Sequence, residues 1–244
     1  MTLTLTPTPL RSQHHLNESR SQRILWLCEE LNVPYEIKQY KRGSDRRAPR
    51  ELKDVHPLGK SPVITTEEGR VIAESGAIVE YLIERYGNGG FRPQSADGKL
   101  DDSFWSHFAE GSLMPALVMK LVFTIIPQQA PFLVRPLVSA IFNGVQTGFI
   151  DPEVVRLVNF ISSELKKKVE SAQDGQVWFA GGDANGQPTA ADFQMLFPLE
   201  AIVCGGRMPK GVSIDDSVKN WVTRVHDRPA YKRALEKGGP YAYA

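Results

Sequence analysis

The strongest constraint on this chain is a change of pattern at Asn88-Gly89-Gly90. Before it, strand-like alternation and helical spacing take turns. Beyond it, nearly every apolar pattern has the helical period. Pro93 and Asp97-Gly98 follow closely, so residues 89–99 have linker composition. At 244 residues the chain is longer than a typical domain of roughly 150, and the break divides it. The predicted class is α/β plus all-α, with a small α/β domain over residues 1–88 and a larger all-α domain over 100–244.

In the first domain Leu3 and Leu5 alternate with threonine and predict a short strand, ended by Pro7 and Pro9. Residues 7–13 then read as an extra loop, unless His14 to Asn17 replaces part of the strand. Ile24, Leu25, Leu27, Cys28 and Leu31 recur at helical spacing, with Glu29 and Glu30 on the wet face. Tyr35 to Tyr40 alternates again. Arg50 to Val55 predicts a short helix, and Pro62 to Thr66 and Arg70 to Ala73 flank a turn as a hairpin. Ile78, Val79, Leu82 and Ile83 predict a helix over 75–86. The order is β-α-β, then α, then β-β-α. In the second domain helices are predicted over 101–123, 132–145, 152–172, 190–203 and 217–228, with Thr189 and Asp192 at capping-box spacing before the fourth.

Composition narrows the function classes. Lys and Arg total 29 against 28 Asp and Glu, a formal net charge of +1. A protein that grips nucleic acid by neutralising phosphates carries a clear basic excess, so no nucleic-acid partner is expected. Two cysteines, Cys28 and Cys204, are too few for a disulfide scaffold or a cysteine zinc site, and a reducing compartment is expected. The most apolar stretch, Leu113 to Pro127, falls short of the roughly 20 residues a bilayer needs and carries Lys120 and two prolines, so no integral membrane segment is predicted. The N-terminus lacks the basic start of a secretory signal. His14 and His15 have no third ligand at suitable spacing, so no metal is expected.

Four motifs narrow the reading further. They are Asn17-Glu18-Ser19-Arg20-Ser21-Gln22-Arg23-Ile24-Leu25-Trp26, His56-Pro57-Leu58-Gly59-Lys60-Ser61-Pro62-Val63, Ala73-Glu74-Ser75-Gly76-Ala77-Ile78 and Ala109-Glu110-Gly111-Ser112-Leu113-Met114-Pro115. In this order, with Trp221 and Arg228-Pro229-Ala230-Tyr231 near the end, the chain resembles the cytosolic glutathione transferases. The likeness is to the fungal and bacterial subgroup related to the yeast endoplasmic-reticulum-associated enzyme. It implies a thioredoxin-like N-terminal domain that binds glutathione and an all-helical C-terminal domain that supplies most of the second-substrate pocket. Glutathione would be a co-substrate. The partner would be a hydrophobic electrophile, and the assembly a homodimer in the cytoplasm, with peripheral attachment to the endoplasmic reticulum as a variant.

The resemblance also assigns roles. Ser61-Pro62 would be a cis pair that offers the Ser61 backbone to the cysteinyl part of glutathione. Ser75 can cap the helix it opens, and its hydroxyl with the first N–H groups can equally hold a carboxylate; Glu74 would meet the γ-glutamyl ammonium. The basic segment from Lys38 to Lys53 is mostly a solvated face, but Arg47, and Lys60 beyond it, fall where the family places cations for the glycyl carboxylate. The glutathione thiol must ionise, and a hydroxyl aimed at sulfur or a helix N-terminus lowers its pKa. No Tyr or Cys precedes the first helix, which leaves Ser19, with Asn17 and Ser21 as alternatives. Cys28, two turns into that helix, reads as an inert core thiol. Trp105, His107, Phe108 and Met114 are the candidates for the second-substrate pocket. The implied activity is conjugation of glutathione to apolar electrophiles, with peroxidase as a side activity. The competing reading is a non-catalytic glutathione-binding or protein-interaction module of the same fold.

Overall fold

The computed structural model describes residues 9–171 and 177–244. Its first domain runs β1 (Leu10–Leu16), α1 (Ser21–Glu30), β2 (Tyr35–Tyr40), α2 (Glu51–Val55), β3 (Val63–Thr65), β4 (Val71–Ala73) and α3 (Ser75–Tyr86). The four strands form one sheet in the order β2-β1-β3-β4. β1 pairs parallel with β2 and antiparallel with β3, and β3 pairs antiparallel with β4. This is a thioredoxin-like arrangement, and the element order follows the sequence reading.

One strand differs. The predicted strand at Leu3 and Leu5 lies outside the described residues, and β1 instead occupies Leu10–Leu16, which absorbs much of the segment read as an extra loop. Its signal is faint because Ser12, Gln13, His14 and His15 are all buried. Each has a partner in place of apolar packing. The Gln13 amide donates to the Ser21 carbonyl at 3.0 Å. His14 pairs with the Tyr40 hydroxyl at 2.9 Å and His15 with the Ser21 hydroxyl at 2.8 Å. A buried polar strand is affordable only when its side chains are so paired, and such a strand shows no hydrophobic alternation.

The second domain opens with α4 (Ala96–Phe108), whose N-cap Ser95 accepts from the Gly98 N–H at 3.0 Å. The helix therefore starts inside the stretch read as linker. A π turn (Ala109–Leu113) leads into α5 (Met114–Gln129). Pro115 has no N–H to return to the Gly111 carbonyl, which accounts for the local widening. Because Pro115 sits at the start of α5 and Pro127 near its end, the prolines do not break the run. Ala96–Gln129 is by length and composition long and apolar enough to cross a membrane, with 33% of its most apolar window buried. α6 (Arg135–Val145) and a second π turn (Gln146–Ile150) continue into α7 (Asp151–Ser171), and α8 (Ala190–Val203), α9 (Asp216–Asp227) and α10 (Pro229–Gly238) complete the fold. Ala172, the last residue of the helix predicted over 152–172, is outside the described residues.

The domains meet across α1. Trp26 packs at a tilt on Phe193 of α8, with ring centroids 4.4 Å apart, and meets Tyr231 of α10 edge-on at 6.4 Å. The helix that sequence reading missed, α10, starts at Pro229, a favoured first helical residue. It also corrects the placement of Glu29 and Glu30. Neither faces water. Glu29 is buried and takes Tyr35 at 2.7 Å and Arg233 at 2.9 Å, together with Lys237. Glu30 accepts from the Trp26 indole at 2.7 Å and pairs with Arg228. The last helix is thus fastened to the first by carboxylates on α1.

Candidate functional site

A cavity of about 680 Å³ opens between the domains, within the range that takes a small ligand. The first domain contributes Arg20, Lys60, Ser61, Pro62, Glu74, Ser75 and Gly76 to its walls. The second contributes Ser106, His107, Glu110, Gly111 and Gln194. Six of the residues singled out from sequence (Lys60, Ser61, Pro62, Glu74, Ser75 and His107) are therefore brought together.

One wall is built by two turns of the first domain. The Ser61-Pro62 peptide is cis, and the Ser61 hydroxyl ties this turn to the end of β1 by donating to the His14 carbonyl at 2.9 Å and accepting from the Leu16 N–H at 3.2 Å. Glu74 precedes α3 with φ of +70°, a region that costs a residue with a Cβ on the order of 1–3 kcal/mol. That strain turns the chain from β4 into α3 so that Ser75 opens the helix at the cavity wall. No side chain caps α3. The first main-chain bond is Ile78 N–H to the Glu74 carbonyl at 2.9 Å, so the amides of Ser75, Gly76 and Ala77 have no acceptor within the helix.

The π turn supplies the opposite wall. Glu110 accepts from Arg20 Nε at 3.0 Å and from Arg23 Nη1 at 2.6 Å. Arg23 is fully buried, and the same Nη1 reaches Gln194 Oε1 at 2.5 Å and Ser75 Oγ at 3.2 Å. Burial pushes the Glu110 carboxyl up, but the Arg23 and Arg20 charges outweigh that and hold it below its ordinary value. Arg20, Arg23, Glu110 and Gln194 form a polar seam between the domains. The first three stand inside the sequence motifs, where no role is legible for them; an arginine among the apolar positions of α1 is the available signal.

The three candidates for thiol activation lie elsewhere than on the cavity wall. Asn17 Oδ1 accepts from the Arg42 N–H at 2.9 Å and fastens the loop before α1 to the loop after β2. Ser19 is buried, donates to the Leu16 carbonyl at 2.8 Å and accepts from the Ser21 N–H at 3.2 Å. It therefore serves the start of α1 much as a capping serine does. Ser21 lies 2.8 Å from both Ser19 Oγ and His15 Nδ1. Burial drives His15 from the ordinary 6.5 down to about 4, so it is neutral, and its Nδ1 shares a hydrogen bond with the Ser21 hydroxyl. The cation that does reach the cavity from this segment is Arg20.

Other candidates are dispersed. Arg47 lines a separate depression with Lys41, Arg50 and Lys53. Trp105, Phe108 and Met114 are buried in the helical core, and none lines the cavity; α4 turns Trp105 onto Phe179 at 4.8 Å and Phe160 at 5.5 Å, and Phe108 onto Phe160 at 5.7 Å. Cys28 is fully buried and burial raises its thiol pKa, which fits an inert core residue. Asp102 accepts from the Ala191 N–H at 2.8 Å and Asp101 pairs with Lys168 at 2.8 Å. Among the described residues no group of three or more His, Cys, Asp or Glu is placed to hold a metal ion; His14 and His15, adjacent on β1, have different partners.

Residues 19–85 match the family described as Glutathione S-transferase, N-terminal domain. The chain is 37% identical over 226 residues to glutathione S-transferase 3 of Schizosaccharomyces pombe, an alignment that covers 92% of this chain and 86% of that protein. Among solved structures it resembles a glutathione S-transferase from Actinobacillus pleuropneumoniae at TM-score 0.71 and 26% identity, covering 95% of this chain and 94% of the other. It also shares its fold with a glutathione transferase from Phanerochaete chrysosporium crystallised with oxidized glutathione, at TM-score 0.68 and 18% identity, covering 93% of this chain and 94% of that one.

Proposed function

This chain belongs to the glutathione S-transferase family, and on that premise we propose that its interdomain cavity binds glutathione, stabilises the thiolate and delivers it to apolar electrophiles. The observation that carries the proposal is the convergence on one cavity of the cis Ser61-Pro62 turn, the uncapped start of α3 with Glu74 and Ser75, and Lys60. A tripeptide with two carboxylates and one ammonium matches that set. Ser75 and the free α3 amides receive the γ-glutamyl carboxylate, Glu74 meets the ammonium, the Ser61 backbone pairs with the cysteinyl unit, and Lys60 faces the glycyl carboxylate.

In this pose the sulfur points toward the start of α1. An unperturbed thiol has a pKa near ~8.5, and the positive end of α1 together with the Arg20 guanidinium lowers it. Ser19 contributes by rotation. Its hydrogen leaves the Leu16 carbonyl for the sulfur, and the Ser21 hydroxyl, which also donates to that carbonyl at 3.2 Å, stays as its donor. The protein need form no covalent intermediate; orientation and thiolate stabilisation supply the acceleration. A hydroperoxide in place of a carbon electrophile would give the peroxidase side activity.

The inward bonding of Ser19 is also what supports the rival, a module that binds glutathione without turning it over. Titration of bound thiol by its thiolate absorbance separates them. Ser19→Ala is expected to raise the bound thiol pKa by about one to two pH units, the worth of one hydrogen bond to a charged group. An unchanged pKa would remove Ser19 from the mechanism and leave Arg20 and the helix terminus as the activating groups. A homodimer in the cytoplasm completes the proposal, and a mass measurement in solution tests the assembly.

A further inference from the structure

Gln194 carries a buried donor with nowhere to donate inside the protein. It belongs to α8 of the helical domain, is 2% exposed, and lines the interdomain cavity. Its Oε1 takes Arg23 Nη1 at 2.5 Å and Ser75 Oγ at 3.4 Å. A guanidinium has donors only, so the opposite amide orientation would set NH₂ against N–H; Arg23 thereby fixes which end of the amide is oxygen. The Nε2 group is left without a partner, and it lies 3.8 Å from where a side chain on Gly76 would begin. A buried donor with no acceptor is destabilising, and this one stands beside three helix-terminal amides that also lack intrahelical acceptors.

All of these groups donate and none accepts, and an ionised carboxylate accepts and never donates. We infer that Gln194 is a ligand-carboxylate-binding residue: its Nε2, with Ser75 and the first amides of α3, grips the α-carboxylate of the γ-glutamyl group from the helical domain's side. This rests on the glutathione reading above and adds that the carboxylate is clamped by both domains of one chain. The ligand's far end thereby bridges α3 and α8, and specificity for a free α-carboxylate becomes a property of the domain interface.

The test pairs a variant with a ligand change. Gln194→Glu keeps volume and an oxygen for Arg23 but replaces the donor with an anion. Calorimetric titrations use glutathione and its analogue with 4-aminobutyryl in place of the γ-glutamyl group, which lacks only that carboxylate. The variant is expected to bind glutathione about tenfold to a hundredfold more weakly than the parent chain, while the analogue's affinity changes less than about threefold. Equal losses for both ligands, or no loss for glutathione, would overturn the assignment and leave the glutathione reading intact. If the parent chain bound no glutathione, both would fall. Should Gln194→Glu fail to fold, Gln194→Met, which deletes the donor without adding charge, is expected to show the same selective loss.

Discussion

Replacing Glu110 with leucine is expected to lower the unfolding free energy by about 3–5 kcal/mol, the cost of leaving one partner of a buried ion pair uncompensated. Arg23 has no exposed side-chain surface and Glu110 is its carboxylate at 2.6 Å. In the variant the guanidinium would keep only the neutral acceptors Gln194 and Ser75, in surroundings where burial already disfavours its charge. Arg20, about one-third exposed, can turn to solvent at little cost. Urea unfolding with a shared m-value measures the difference. The pairing with Arg23→Met is decisive. Removing both charges leaves no buried ion, so the double variant should recover most of the loss. If it is as unstable as the sum of the singles, the seam is not an ion pair in any energetic sense.

The second large effect is acid sensitivity centred on β1. In the folded chain His15 titrates near 4, against 6.5 ordinarily, because burial excludes its charge. Between those values an unfolded chain binds a proton that the folded chain refuses, so stability falls as pH drops from 6.5 toward 4. Full charging of this one group is worth about 3 kcal/mol. His14 adds to the same slope: burial first, then the Lys38 charge, lowers its pKa. His15→Asn, which keeps an acceptor for Ser21, is expected to flatten the pH dependence of the urea midpoint in this window. A slope identical to the parent chain would show that His15 is not the group being charged.

The parts of the fold that sequence made legible are those governed by local rules. The Thr189–Asp192 capping box forms, with Thr189 N–H donating to Asp192 Oδ2 at 2.8 Å, because its partners are three residues apart. α3 and α8 match their predicted bounds, since a Cβ-bearing residue at φ of +70° and a cap both mark an abrupt start. What escaped was settled at long range. β1 is polar because other elements satisfy its side chains, and Glu29 and Glu30 are dry because Arg228 and α10 return from 198 to 208 positions away to cover them.

The site divides along the same line. Lys60, Ser61, Pro62, Glu74 and Ser75 are clustered in the sequence and meet in the cavity. Arg23 and Gln194 are 171 positions apart, and nothing local sets Gln194 apart from Asp192 and Glu200, the other polar residues of a largely apolar helix. Trp105, Phe108 and Met114 are candidates on sequence because large apolar residues suit both a pocket and a core; only tertiary packing distinguishes the two, against Phe160 and Phe179 for Trp105 and against Phe160 for Phe108.

The central claim is that the cavity between the domains receives glutathione with its γ-glutamyl end at Ser75. Calorimetric titration of the parent chain and of Ser75→Asp with glutathione tests it directly. The parent chain should give saturable binding with one site per chain. The variant, which sets an anion where the ligand's carboxylate belongs, should give none. Absence of binding to the parent chain, or undiminished binding to Ser75→Asp, would contradict the account.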